Sequence, residues 1–232
     1  KSILAVQLAD AISKGIPILG ENSDKYNVQY YDFELSTKAF QKRYSTSNTE
    51  LYSFSSKFIR IEIDRSINPE DEKLSFEQSI INSITIQAHK NDAEVLIIDN
   101  ITYLAASNEK SYEALELMKI ILKLSREYGI SILLIAHTPK RDIYSPIQLE
   151  DLAGSKALSN FADVCFCIGE SVKGDNIRYI KQLKNRNSPI KYGQENVINC
   201  EIVKANSILK SDMFGLGSEK EHLQDVKEEK RH

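Results

Sequence analysis

The stretch EVLIID, residues 94–99, decides how the chain folds. Val95 to Ile98 are apolar without a break and Asp99 closes them, a run too short for an ordinary helix. It suits a strand buried on both faces of a sheet. Working outward, SILLIA (131–136) repeats the pattern after an amphipathic helix expected over 109–128. That helix carries Leu115, Met118 and Leu122 on one side and stops at Gly129. Upstream, Phe76, Ile80, Ile84 and Ala88 stripe another helix, KFIRIEI (57–63) alternates as a strand, and STKAFQKRY (36–44) opens a short helix on a Ser cap. VQYYDF (28–33), rich in β-branched and aromatic residues, reads as one more strand. Leu4, Leu8 and Ile12 mark a first helix that ends near Gly15, with Pro17 just beyond. Downstream, DVCFCI (163–168) and IRYIKQL (177–183) add two strands. Strands alternating with helices imply βαβ units, so the expected fold is α/β: doubly wound, mostly parallel, with helices on both faces. A core over 1–210 is expected, followed by a charged tail over 211–232. The end of that tail, SEKEHLQDVKEEKRH, reads as a solvated helix or as disordered.

Composition sets bounds on function. Hydrophobic residues make up 41% and charged residues 27%, a balance that permits an ordinary buried core. No apolar run approaches the roughly 18–20 residues of a membrane span, and no signal-peptide core is visible. The expectation is therefore a cytoplasmic protein with no membrane partner. Three cysteines are too few for a disulfide framework. Cys165 and Cys167 alternate on a strand and read as small core hydrophobes rather than ligands. A net charge of −3 gives no global basic footprint. Any nucleic-acid partner must be met by local loops or by the inner surface of an assembled ring.

In doubly wound sheets ligands bind beyond the carboxyl ends of the strands, so the residues that follow each strand carry the chemistry. Asp99 either holds Mg²⁺ through its water shell or caps a strand end. His137, after LLIA, either senses a γ-phosphate or bonds a nearby carbonyl. Glu34, after YYDF, either polarises an attacking water or is merely solvated. The chain opens on Lys1-Ser2 directly before a helix, with no methionine. They are either an arbitrary start or the last two residues of a P-loop, G-x-x-x-x-G-K-[ST], whose glycines would lie upstream. In such a loop backbone N–H groups cradle phosphates, the lysine reaches the β- and γ-phosphates, and the hydroxyl ligates Mg²⁺.

Five stretches together resemble the RecA-like P-loop ATPases, and within them the RepA- and DnaB-like hexameric helicase branch. They are KSILAVQLADAISKGIPILG, VQYYDFELSTKAFQKRY, VLIIDNITYL, ILLIAHTPKRDIYSPIQLEDLAGSKALSNFADVCFCI and IKQLKNRNSPIKYG, and they span about residues 1–193. The fourth is the most specific, with Asp151-Leu152, Gly154-Ser155 and Ala162-Asp163 in the family's order. The resemblance implies a RecA-like fold that binds ATP and Mg²⁺. It makes Lys1 the ligand of the β- and γ-phosphates, Ser2 and Asp99 the Mg²⁺ ligands, Glu34 the catalytic base and His137 the γ-phosphate sensor. Asn100 agrees with a base drawn from the second strand, because no carboxylate follows Asp99 directly. Lys184 and Arg186 match finger residues that reach a neighbouring subunit's nucleotide. The loop after His137 corresponds to a DNA-facing loop, in which Lys140 and Arg141 would contact phosphates and Tyr144 would stack on a base. The resemblance thus implies an ATP-hydrolysing motor, a homo-oligomeric hexameric ring acting on single-stranded DNA in replication or in plasmid or transposon mobilisation. Two further readings stand beside it: a RadA- or KaiC-like regulatory or recombination-associated ATPase without helicase activity, and a non-catalytic nucleotide-binding module.

Overall fold

The computed structural model describes residues 1–46, 50–63, 76–101, 111–138, 142–152 and 156–223. They divide into two units, one within 1–137 together with 206–208 and the other within 138–205 together with 209–223.

In the first unit helix α1 (Ser2–Lys14) is followed by β1 (Val28–Asp32), α2 (Thr37–Arg43), β2 (Phe58–Glu62), α3 (Phe76–Lys90), β3 (Val95–Asp99), α4 (Ser111–Tyr128) and β4 (Ser131–Ile135). The strands form a parallel sheet in the order β2-β1-β3-β4. This is the expected α/β architecture, with the EVLIID strand at its centre. Leu96, Ile97 and Ile98 are almost fully buried, and all of β1 is buried as well. Each large apolar side chain so removed from water contributes roughly 1.5–3 kcal/mol.

The helices follow their patterns with one rotation. α4 buries Leu117, Met118, Ile121 and Leu124, while Leu115 and Leu122 of the expected stripe are only half-buried. α1 buries Leu4, Ala5, Val6 and Ala9, with Leu8 and Ile12 at the margin of that face. It ends where expected, at Gly15. That residue is left-handed (φ 66°) and donates its N–H to the Ile12 and Ala11 carbonyls. A Cβ there would also crowd the Lys25 backbone at 3.3 Å, so glycine is required twice over.

In the second unit a short helix α5 (Lys156–Phe161) precedes β5 (Val164–Glu170), β6 (Ile177–Asn185), β7 (Val197–Ala205) and β8 (Ile208–Gly217), and α6 (Lys220–Leu223) follows. These strands form a separate sheet in the order β5-β6-β7-β8, antiparallel between β5 and β6 and between β6 and β7. The alternation of strands and helices predicts DVCFCI and IRYIKQL in the parallel sheet, and the structure places them in this separate antiparallel one instead. The short connections between β5, β6, β7 and β8 hold no crossover helix, so they can only make hairpins. The β7–β8 turn, Asn206-Ser207, has φ of 49° and 65°, as a two-residue hairpin turn requires. Gly169 lies opposite Tyr179, whose ring would sit 2.1 Å from an added Cβ. Cys165 and Cys167 are half-buried on this edge strand rather than enclosed, with Val164 and Phe166 exposed beside them. Cys200 is the buried thiol, pushed up to about 11 by burial.

The expected tail is built into this sheet. Residues 211–217 belong to β8, and Glu219, His222 and Leu223 are buried despite the charged sequence around them. Residues 224–232 lie outside the described residues. Burial of Glu219 is possible because Lys181 meets its Oε2 at 2.6 Å, while Oε1 accepts the Ile147 N–H and the Tyr179 hydroxyl, both at 3.1 Å. His222 accepts or donates on both sides, to Ser171 at 2.8 Å and Asn199 at 2.7 Å, and burial holds its imidazole below the usual value. Glu219→Ala would leave the Lys181 ammonium buried without its counter-charge. The expected loss is about 3–5 kcal/mol in urea unfolding, and a loss under about 1 kcal/mol would show that the pair is dispensable.

Candidate functional site

The parallel ladder brings three strand ends level. Asp32 pairs with Asp99, and Asp99 with Ile135. Glu34 and His137 therefore each lie two residues beyond this row, and Asn100 lies one beyond it. The three side chains meet. Asn100 Nδ2 donates to Glu34 Oε1 at 2.6 Å, and it lies 2.7 Å from His137 Nε2, which is itself 3.2 Å from Glu34 Oε1. Glu34 is about one-third exposed and His137 about half, so the cluster faces solvent from a buried base. The Asp99–Asn100 peptide bond is cis.

Asp99 is the buried member of the site, 1% exposed. Tyr30 donates its hydroxyl to Asp99 Oδ2, while Oδ1 has no hydrogen-bond partner among the described residues. Desolvation pushes the Asp99 carboxyl above the usual range. The Ser2 and Tyr30 hydroxyls beside it work the other way, and the Glu34 and Asp32 charges add to the rise. A buried carboxylate with one oxygen pinned, the other unmet and a serine hydroxyl alongside is a hard-oxygen donor set that fits Mg²⁺.

Tyr30→Phe tests the pinning. At neutral pH the buried carboxylate loses its donor, at an expected cost of about 1–3 kcal/mol. Because the Asp99 pKa is raised, protonation relieves that cost as pH falls through the raised value. The gap between variant and parent should then be present above it and fade below it. Unfolding titrations at neutral and acid pH read this out, and a cost equal at both ends would reject it.

Ser2 opens α1, whose first turn contains no acidic residue, so the positive end of the helix is uncompensated by side chains. Lys1 is the N-cap, and its Nζ donates to the Ala136 carbonyl at 2.8 Å, at the end of β4. Lys1, Ser2, Glu34, Asp99 and His137 therefore all belong to the first unit, near one another along the strand ends and the helix start.

The other expected site residues belong to the second unit. Lys184 Nζ donates to the Ser159 carbonyl at 2.7 Å, and Arg186 bonds Asp163 at 2.9 Å and the Asn160 carbonyl at 2.8 Å. Both cations thus reach the same end of α5 from β6 and the residue after it. Tyr144 is 62% exposed, in a turn where its N–H donates to Asp142. Lys140 and Arg141 lie outside the described residues, as do Gly154 and Ser155.

Sequence reading missed Tyr30, Asp32 and Arg60. Asp32 is 2% exposed and Arg60 meets it at 2.9 Å through both Nε and Nη2. The signal was present: a charge inside a strand pattern, once in YYDFE and once in KFIRIEI, has to find a partner if the strand is buried.

A parallel sheet with polar groups gathered beyond its strand ends, next to the start of a helix, defines an α/β nucleotide-binding domain. The chain belongs to the AAA domain family, whose model matches residues 1–142 and so covers the continuous stretch of the first unit. It is accordingly a P-loop ATPase by family. No curated protein matches the chain. Among the described residues no helix is long and apolar enough to cross a membrane.

Proposed function

We propose that this ATPase is the motor of a ring-forming DNA helicase of the RepA- and DnaB-like branch, acting on single-stranded DNA in replication or in mobilisation of a plasmid or transposon. The observation that carries the catalytic part is the Glu34–Asn100–His137 cluster beside the buried Asp99 carboxylate. In this reading Lys1 and Ser2 are the end of the phosphate loop. Lys1 exchanges its bond to the Ala136 carbonyl for the β- and γ-phosphates of ATP, a stronger, charge-assisted contact. Ser2 and Asp99 hold Mg²⁺, which when bound neutralises charge on the phosphate oxygens. Glu34 orients the water that attacks the γ-phosphorus and takes its proton, as the bond to the β-phosphate oxygen breaks and ADP leaves with inorganic phosphate. His137 reports the γ-phosphate to the segment that follows it in the chain, where Lys140, Arg141 and Tyr144 meet DNA. Lys184 and Arg186 complete a neighbouring subunit's site in a hexameric homo-oligomer.

A cytoplasmic location fits this role. The decisive experiment measures ATP turnover by the full-length protein with and without single-stranded DNA, together with strand separation on a forked duplex. DNA-stimulated turnover with unwinding is expected. Turnover that ignores DNA and separates no strands would favour a RadA- or KaiC-like regulatory ATPase. Nucleotide binding without turnover in either condition would leave only a non-catalytic module.

A further inference from the structure

Glu34 has no rigid element of its own: it follows β1 by two residues and precedes α2 by three. What fixes it is the carboxylate of Asp32. Its Oδ1 accepts the backbone N–H of Glu34 at 3.0 Å and of Leu35 at 2.8 Å, a turn closed by a side chain. Its Oδ2 is held by Arg60 through Nε and Nη2, each at 2.9 Å. The two oxygens thus have separate duties, one toward the turn and one toward β2.

Arg60 does more than neutralise Asp32. The ladder sets it opposite Tyr30, and its guanidinium then spans the whole turn. Nη2 donates to the Leu35 carbonyl, Nη1 donates to Thr37 Oγ1 at 3.2 Å, and the group stacks 4.5 Å over the Phe40 ring. One planar cation therefore ties the end of β1, the turn and the first turns of α2. Five fixed donors suit this task and a flexible ammonium does not. Both side chains are shielded, Asp32 at 2% and Arg60 at 11% exposure, so water competes little for these bonds.

We propose that Asp32 and Arg60 are positioning residues for ATP hydrolysis, a clamp that sets the Glu34 carboxylate against Asn100 and His137 without touching nucleotide. The inference rests on Glu34 being the base. Its premise is general: displacing a catalytic group by about 1 Å can cost about 10²-fold in rate.

The test is steady-state ATP turnover and ADP affinity for Asp32→Ala, Asp32→Asn, Arg60→Met and Arg60→Lys in the full-length protein, with Glu34→Gln alongside. Asp32→Ala and Arg60→Met are expected to lose roughly 10–100-fold in kcat, with ADP affinity and the KM for ATP kept within about threefold. Arg60→Lys should recover part of the loss. Hydrogen exchange at the Glu34 and Leu35 amides should rise in Asp32→Ala, and a role confined to global stability would not single out those two. If Asp32→Ala fails to fold, Asp32→Asn and Arg60→Lys carry the same kcat-against-KM split. A kcat within threefold of the parent in the folded variants overturns the clamp, as does an equal fall in kcat and ADP affinity. An inactive Glu34→Gln beside an active Asp32→Ala removes the clamp alone. An active Glu34→Gln removes the base assignment and the clamp with it.

Discussion

Glu34→Gln is expected to lower ATP turnover by about 10²–10⁴-fold, the usual worth of a positioned general base. The substitution is nearly isosteric. A glutamine Oε1 can still accept the Asn100 amide proton that now reaches Glu34 Oε1 at 2.6 Å, so the cluster keeps its shape and loses only a charge and a proton acceptor. Nucleotide affinity should stay within about threefold, less than 1 kcal/mol. Binding by a fluorescent ADP analogue and turnover by phosphate release separate the two quantities. A variant that hydrolyses at the parental rate would mean that the base is another group. A variant that no longer binds would mean that Glu34 contacts nucleotide rather than water.

Arg186→Ala carries the second large effect, a fall of roughly 10³–10⁵ in kcat if the residue acts as a finger. In the present structure its bonds to Asp163 and to the Asn160 carbonyl are exposed ones. Exposed ion pairs contribute little, so releasing this side chain toward a phosphate costs little and its removal should move stability by under about 1 kcal/mol. Lys184, held by the Ser159 carbonyl, is expected to behave alike with a smaller loss. The trans character has its own readout. Mixing Arg186→Ala subunits with Lys1→Ala subunits should restore activity, because some shared sites then combine an intact Lys1 with an intact Arg186. Absence of recovery at every ratio would count against a finger in trans.

Much of the first unit was legible in advance because period and length decide it. Four apolar residues closed by Asp99, and the alternation in KFIRIEI, admit few structures other than strands. Glu34 and His137 were visible as polar residues at strand ends, since that is where such sheets keep their ligands. What stayed hidden depends on partners distant in the chain. Tyr30 looks like any β-forming aromatic until its hydroxyl finds Asp99, 69 residues away. Asp32 and Arg60 are one bond apart only because β1 and β2 are neighbours in parallel register. Strand direction in the second sheet could not be taken from apolar runs, because half-buried hairpin strands and enclosed parallel ones share them over short lengths. Glu219 and His222 were masked by the charges around them. Their burial becomes affordable only through Lys181, Ser171 and Asn199.

The level row of Asp32, Asp99 and Ile135 also governs which kinds of genetic change the protein can absorb. Side chains alternate faces along a strand, so inserting or deleting one residue within 28–33 or 95–99 turns every later group on that strand through half a turn. Glu34 would then leave Asn100 and His137 even though no active residue had been altered. The same insertion in the connecting stretch 22–24, which takes no part in the described strand pairing, should be tolerated. Spacing, as much as residue identity, is the inherited quantity at this site, and frame-preserving length changes should therefore be sharply partitioned between strands and loops.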